Sequence, residues 1–323
     1  MQVFRRPRPG IQPLPSGCVA TIGVFDGIHR GHQRILGLVR QSAGRLGLPA
    51  LVFSFEPTPQ EVMSPARAPA RLMRLREKVL MLRELGMDCL YCPPFEPGIQ
   101  QLAPADFVDR FLVRTLGVRH LVVGDDFRFG RDRAGGFADL EAGGREHGFG
   151  TEQVGSVMTG GERVSSTAIR AALASGDLAA ATGMLGRSYR MVGRVGPGRQ
   201  LGRELGFPTA NLRLHRRQSP VHGIFAVRVH GVADGAVDGV ASVGTRPTVA
   251  GTEPLLEVHV FDFTGDLYGR HLAVDFIARL RDEVRFEDLG ALRRQMEEDA
   301  AQARRLLAAR SAAAATTGKG PLQ

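Results

Sequence analysis

Apolar and polar positions change their rhythm once along this 323-residue chain, near Gly186. Up to Leu185, short apolar runs alternate with stretches whose apolar residues recur at helical spacing, the pattern of a parallel sheet with crossover helices. The runs predict strands at Val19–Phe25, Ala50–Phe55, Asp88–Cys92, His120–Val123 and Glu152–Val154. The amphipathic stretches predict helices at His32–Leu46, Leu75–Leu85, Pro104–Leu116, Phe137–Glu146, Thr167–Ala174 and Leu178–Leu185. Beyond Gly186, alternating runs at Tyr189–Val195, Ile224–Val229, Val240–Val243, Leu255–Phe263 and His271–Leu280 are separated by Gly, Pro and Asp turns, as in a closed antiparallel barrel. A helix over about Leu289 to Ala309 is expected to pack on that barrel, followed by an Ala/Thr/Gly-rich disordered tail. The expected division is an α/β domain over 1–185, a β domain over 186–310 and the tail over 311–323.

Ligands of open parallel sheets bind beyond the carboxyl ends of the strands. That rule gathers Gly23–His32, Glu56–Pro59, Gly124–Gly130 and Ser165–Arg170 on one rim, although they are far apart in sequence. In the first segment, Gly23 and Gly27 allow a tight turn, and Gly31 leaves room for a phosphate at a helix start, where backbone N–H groups favour anions. His29 and His32 stand three apart on that first turn and can donate to the charge that develops as pyrophosphate leaves. The plain alternative is a pair of surface histidines. Ser165-Ser-Thr-Ala-Ile-Arg170 can cap a helix, or it can place Arg170 where a guanidinium grips phosphates. Gly124-Asp-Asp-Phe-Arg-Phe-Gly130 offers carboxylates and two aromatic faces for a planar ring, unless both phenylalanines turn into the core.

Past the change of rhythm, Gly202-Arg-Glu-Leu-Gly-Phe-Pro-Thr-Ala-Asn211 joins a glycine-bearing loop to two hard oxygen ligands, the Thr209 hydroxyl and the Asn211 amide, which suit Mg²⁺ bridged to phosphates. It is not a P-loop, because no lysine follows the glycines. A turn with a Pro-Thr cap is the alternative. In Leu255-Leu-Glu-Val-His-Val-Phe-Asp-Phe263 the alternation sets Glu257 and His259 on the face opposite Val258 and Val260.

The composition narrows the field. A formal charge of +9 comes almost entirely from scattered arginines without interleaved aromatics, which fits polyanionic small molecules and argues against nucleic acid. No apolar stretch approaches the roughly 20 residues that span a bilayer, and Met1–Pro15 lacks the apolar segment of an export signal. Three cysteines fit a reducing compartment. Cys89 and Cys92 form a C-x-x-C, but Pro93-Pro94 follows, so the pair reads as buried strand and not as a redox motif.

The ordered motifs Gly-x-Phe-Asp-Gly-x-His-x-Gly-His, Gly-x-Asp-Phe-x-Phe-Gly and Ser-Ser-Thr-x-Ile-Arg resemble the adenylyltransferase module of the bacterial bifunctional riboflavin kinase/FAD synthetases, within the nucleotidylyltransferase superfamily. The resemblance implies a Rossmann-like domain that moves AMP from ATP to FMN. It places Gly23, Phe25, Gly31, Ser166 and Thr167 at ATP, Asp126 and Phe127 at the flavin, and His29, His32 and Arg170 at the chemistry. One departure is Thr58, where that family usually carries histidine. The second half is similar to the riboflavin kinase module in its Pro-Thr-Ala-Asn segment, in Gly244-Thr-Arg-Pro-Thr248, in Glu257 and in Asp266-Leu-Tyr-Gly269. This implies a six-stranded barrel in which Glu257 activates the ribityl 5′-hydroxyl, Gly202 lies at ATP, Thr209 and Asn211 hold MgATP, and Arg281 lies at the flavin. The implied protein is a cytoplasmic enzyme that uses Mg²⁺ as cofactor and ATP as co-substrate on riboflavin, FMN and FAD, without nucleic acid or membrane. Its oligomeric state is not implied. The competing readings are a transferase for another phosphorylated cofactor precursor, with a barrel that only binds, and a flavin carrier without turnover.

Overall fold

The computed structural model describes residues 1–6, 13–198, 202, 205–248 and 251–317. The chain forms two compact units, one of Met1–Pro69 with Met73–Ser166, the other of Ala70–Leu72 with Thr167–Gln323.

The first unit is built on a six-stranded parallel sheet. Its strands are β1 (Gln2–Phe4), β2 (Cys18–Ile22), β3 (Ala50–Phe53), β4 (Cys89–Tyr91), β5 (Val118–Gly124) and β6 (Gly150–Val154), in the spatial order β1-β4-β3-β2-β5-β6. β2, β3 and β4 are buried along their whole length, because helices cover both faces, and this produces the continuous apolar runs of the sequence. Ala20, Ile22, Leu51 and Phe53 face a cluster with Phe107, Phe111 and Leu140. Val19, Val52, Leu90 and Val122 face the other way, against Leu36 and Val39 of α1 (Arg30–Leu46). The C-x-x-C segment is buried strand, as expected, and Cys18, Cys89 and Cys92 are free. Burial pushes the Cys18 thiol up to about 12 and that of Cys89, with help from the Asp88 charge, to about 11, so neither is a nucleophile.

Further helices follow as α2 (Pro59–Met63), α3 (Leu75–Glu84), α4 (Pro97–Gln100), α5 (Pro104–Phe107) and α6 (Phe137–His147). The single helix expected over Pro104–Leu116 is instead α5 followed by a wider π-type stretch, Val108–Thr115. Thr115 Oγ1 donates to the Arg110 carbonyl, five residues back, along that stretch.

The second unit holds α7 (Ser166–Ser175) beyond its first residue, α8 (Leu178–Leu185) and a closed barrel. The barrel strands are β9 (Tyr189–Gly196), β10 (Ala210–Arg213), β11 (Gly223–Ala233), β12 (Gly235–Thr248), β13 (Gly251–Val260) and β14 (His271–Arg281). They close in the order β10-β13-β12-β11-β14-β9. By packing, residues 167–185 group with the barrel strands. β10, which closes the barrel by pairing with both β9 and β13, was read from the sequence as a loop motif.

The terminal helix α9 (Leu289–Thr317) packs Ala300, Ala303 and Leu307 against Phe261 and Ile277. It runs on past Ala309, so residues 311–317, expected as disordered tail, are helical. Alanine has the highest helix propensity, and the Ser311 hydroxyl donates to the Leu307 carbonyl. The remainder of the expected tail, 318–323, lies outside the described residues.

Candidate functional site

Two candidate sites are present, one in each unit. In the first, the Gly23 N–H donates to the Phe53 carbonyl (3.0 Å) as β2 ends, and the chain then enters a turn with three left-handed residues, Phe25 (φ 49°), Gly27 (φ 84°) and Ile28 (φ 41°). For Phe25 and Ile28 such conformations cost about 1–3 kcal/mol each, and both side chains are sealed in the core. The turn is tied down at several points. Asp26 Oδ1 accepts the Met73 N–H (2.8 Å), the Asp26 carbonyl accepts the Ser166 hydroxyl (2.8 Å) and the Ile28 carbonyl accepts Gln33 Nε2 (2.9 Å).

His29 is the N-cap of α1, and its Nδ1 accepts the His32 N–H (3.3 Å). Nδ1 is the acceptor of that bond, which leaves Nε2 as the nitrogen that can donate outward. The His29 and His32 rings stack at 3.6 Å, so the sequence expectation that they share one side of the first helical turn is met. Gly31 packs close to this pair, since a Cβ there would sit 3.2 Å from the His29 ring. Burial, followed by the charges of His29 and Lys78, holds His32 well below the ordinary histidine value. Its Nδ1 is shut off from solvent with no hydrogen-bond partner among the described residues.

Ser166 opens α7, while Thr167 is exposed and Arg170 half-buried in the second unit, where Arg170 Nε donates to the Ala70 carbonyl (2.7 Å). Two neighbours continue that pattern. Arg216 donates to the Arg71 carbonyl (2.6 Å), and the Tyr189 hydroxyl to that of Leu72 (3.1 Å), so Ala70–Leu72 is held by its backbone oxygens. Thr58 has a structural role: its N–H and hydroxyl both donate to Glu61 Oε2 (2.9 and 3.0 Å) at the start of α2.

The loop after β5 falls between its two expected forms. Phe129 is buried in the core and Phe127 stacks on it at 5.6 Å, so one aromatic face, not two, remains for a planar ring. Asp126 pairs with Arg163 (2.8 Å). Burial opposes ionisation of Asp125, but hydrogen bonds from Ser156 and the nearby Arg163 outweigh it and hold the carboxyl below its usual range. Sequence reasoning missed Arg163, which lies three residues before Ser166, and it missed Lys78, which no motif marks.

In the second site the register is decisive. Asn211 of β10 and Ser242 of β12 each lie directly opposite Glu257 of β13. Opposed residues of antiparallel strands share a face with Cβ atoms about 4.5–5.5 Å apart. Asn211, Glu257 and Ser242 thus form one row, while Leu256 and Val258 are fully buried on the other face. The described residues before β10 lie close to its start. A Cβ on Gly198 would run into the Asn211 amide, and one on Gly202 would meet the Phe207 carbonyl and lie 3.2 Å from Thr209 Oγ1. The Phe207 N–H donates back to the Gly202 carbonyl (2.7 Å), and His259 Nδ1 to that of Pro208 (2.9 Å). The Thr209 hydroxyl and the Asn211 amide oxygen so framed are hard donors that fit Mg²⁺.

Arg281, expected at the flavin, spends its guanidinium inside the chain. It forks onto Asp299 of α9 (2.9 and 2.7 Å) and donates to the Asp282 carbonyl (2.8 Å). The carboxylate of Glu283 lies over Gly244 and accepts the Ser242 hydroxyl (3.1 Å).

A parallel sheet with a histidine pair at the turn after its second strand, in one chain with a closed barrel that carries an Asn-Glu-Ser row, is the architecture of a two-domain transferase. Protein-family models agree half by half: FAD synthetase matches residues 11–168 and riboflavin kinase residues 185–307. Curated relatives cover both halves at once. The Pseudomonas fluorescens bifunctional riboflavin kinase/FMN adenylyltransferase is 49% identical over 300 residues, 92% of this chain and 96% of its own. The Escherichia coli K12 protein of the same name is 46% identical over 293 residues, 91% of this chain and 94% of its own. A solved structure described as a macrolide-efflux protein from Streptococcus pneumoniae matches with a TM-score of 0.76 at 28% identity, over 92% of this chain and 96% of that one. Among the described residues no helix is long and apolar enough to cross a membrane. The chain belongs to the bifunctional riboflavin kinase/FMN adenylyltransferases.

Proposed function

We propose that the two activities of this family are divided between the two candidate sites, with the kinase over 186–310 and the adenylyltransferase over 1–185. The observation that supports this reading is that the two family models match the two halves separately, one half with a histidine pair at the start of α1 and the other with Asn211 in register with Glu257.

In the barrel, Glu257 accepts the proton of the riboflavin 5′-hydroxyl as its oxygen attacks the γ-phosphorus of ATP, forming FMN and ADP. Thr209 and Asn211 hold Mg²⁺ with the nucleotide, and Gly202 lets the loop backbone lie close to it. The metal, when bound, neutralises charge on the transferring phosphoryl group. Arg281 is assigned to the flavin with its neighbours up to Phe286, and its fork onto Asp299 also fixes β14 to α9.

In the parallel-sheet half, an FMN phosphate oxygen attacks the α-phosphorus of ATP, pyrophosphate leaves and FAD forms. His29 donates from Nε2, because its Nδ1 caps α1, and His32 is kept neutral beside it. Gly23, Phe25 and Gly31 shape the turn for ATP, and by the resemblance Ser166 and Thr167 are assigned to ATP and Arg170 to the leaving pyrophosphate. The support for including Ser166 is its bond to the Asp26 carbonyl. Asp126 and Phe127 are assigned to the flavin. We place the enzyme in the cytoplasm on its three buried free thiols.

The test is to incubate the purified chain with riboflavin, ATP and Mg²⁺ and to separate the flavins by chromatography. FMN followed by FAD is the expected order, and unchanged riboflavin contradicts the reading.

A further inference from the structure

Lys78 lies on α3 and is 2% exposed, yet it belongs to no motif. Its Nζ donates to the Val24 carbonyl (2.7 Å) and to Ser54 Oγ (3.2 Å), and the Ser54 hydroxyl in turn reaches the Val24 carbonyl (3.3 Å). These three groups sit where β2 and β3 end, directly before the left-handed residues Phe25, Gly27 and Ile28. Burying an ammonium is expensive, and an apolar side chain of the same length would fill this volume without the desolvation penalty. A turn that stores strain at two non-glycine residues persists only where its surroundings over-determine it. Asp26 and Gln33 clamp its middle and end, and Lys78 clamps its start.

We propose that Lys78 is a positioning residue for adenylyl transfer: bonded to the Val24 carbonyl, it holds the turn in the conformation that presents His29 and His32 to the nucleotide phosphates. This inference rests on the reading of those histidines as the transferase site. The positioned element is the backbone, so the loss falls on the chemical step and not on affinity. The cation also discourages proton uptake by His32, together with burial and His29.

The experiment compares Lys78→Met and Lys78→Arg in the full chain, measuring kcat and KM for FAD formation from FMN and ATP, with FMN formation from riboflavin as the internal control. Lys78→Met is expected to lose on the order of 10²-fold in kcat, the size seen when a preorganised donor is removed, with KM for ATP little changed and kinase turnover intact. Lys78→Arg, which keeps the charge, is expected to recover most of that loss. A Lys78→Met chain with wild-type kcat overturns the proposal, as does a loss confined to KM. Should Lys78→Met fail to fold, Lys78→Arg decides alone, and a loss in it as deep as that of the His29→Ala, His32→Ala chain overturns the proposal. If that double variant itself keeps adenylylation, the site reading fails. If it is inactive while Lys78→Met is not, only the role of Lys78 fails.

Discussion

Asn211 and Glu257 lie directly opposite one another on neighbouring strands of the barrel, one within a segment suited to Mg²⁺ and phosphate, the other carrying the carboxylate suited to take a hydroxyl proton. On the proposed reading, one of the two metal ligands and the base are thereby fixed by strand register. A one-residue slip of β10 would turn Asn211 to the buried face.

Glu257→Gln keeps the shape and removes the base. FMN formation from riboflavin should fall by about 10²–10⁴-fold, while the same protein converts supplied FMN to FAD at the normal rate. Flavin chromatography with each substrate in turn measures both.

The converse holds for His29→Ala combined with His32→Ala. FAD formation from FMN should be lost and kinase turnover kept. Because His29 caps α1, the change also costs about 0.5–2 kcal/mol of stability, to be read as a lower Tm. A chain that loses both activities while still folded would show that the sites are not separable.

The folded-state pKa of His32 lies below its unfolded value, which is near 6.5. Below that pH the unfolded chain takes up a proton that the folded chain refuses. The stability contribution of this site is therefore complete above about pH 6.5 and declines as the pH falls below it. Denaturant midpoints between pH 8 and 5 should fall less in His32→Asn than in the wild type.

The Arg281–Asp299 fork joins β14 to α9, with the Asp299 side chain almost fully enclosed. Asp299→Ala leaves the guanidinium without its carboxylate. It should destabilise the barrel by about 3 kcal/mol, the lower end for a broken buried pair because Arg281 keeps some solvent. Thermal denaturation followed alongside kinase activity tests this.

The strands β2 to β4 and the alternating barrel strands were legible because full or one-sided burial writes itself into apolar spacing. β10 was not. It has four residues, and its Asn211 belongs to a motif that reads as a loop, so only pairing with β9 and β13 makes it a strand. The histidine pair was legible from H-x-x-H at a helix start, but its stacking and the buried Nδ1 of His32 depend on Phe25, α3 and Gly31. Lys78 left no signal, since one lysine on an amphipathic helix reads as solvated surface. The fork of Arg281 onto Asp299 was not legible either, because the partner is 18 residues away.

The central claim is that each half performs its own reaction with its own ATP. Mixing Glu257→Gln with the His29→Ala, His32→Ala variant and supplying riboflavin, ATP and Mg²⁺ tests it most directly. Since one variant makes FMN and the other consumes it, FAD should appear after a lag that shortens as either protein is increased. Absence of FAD from the mixture would contradict the account.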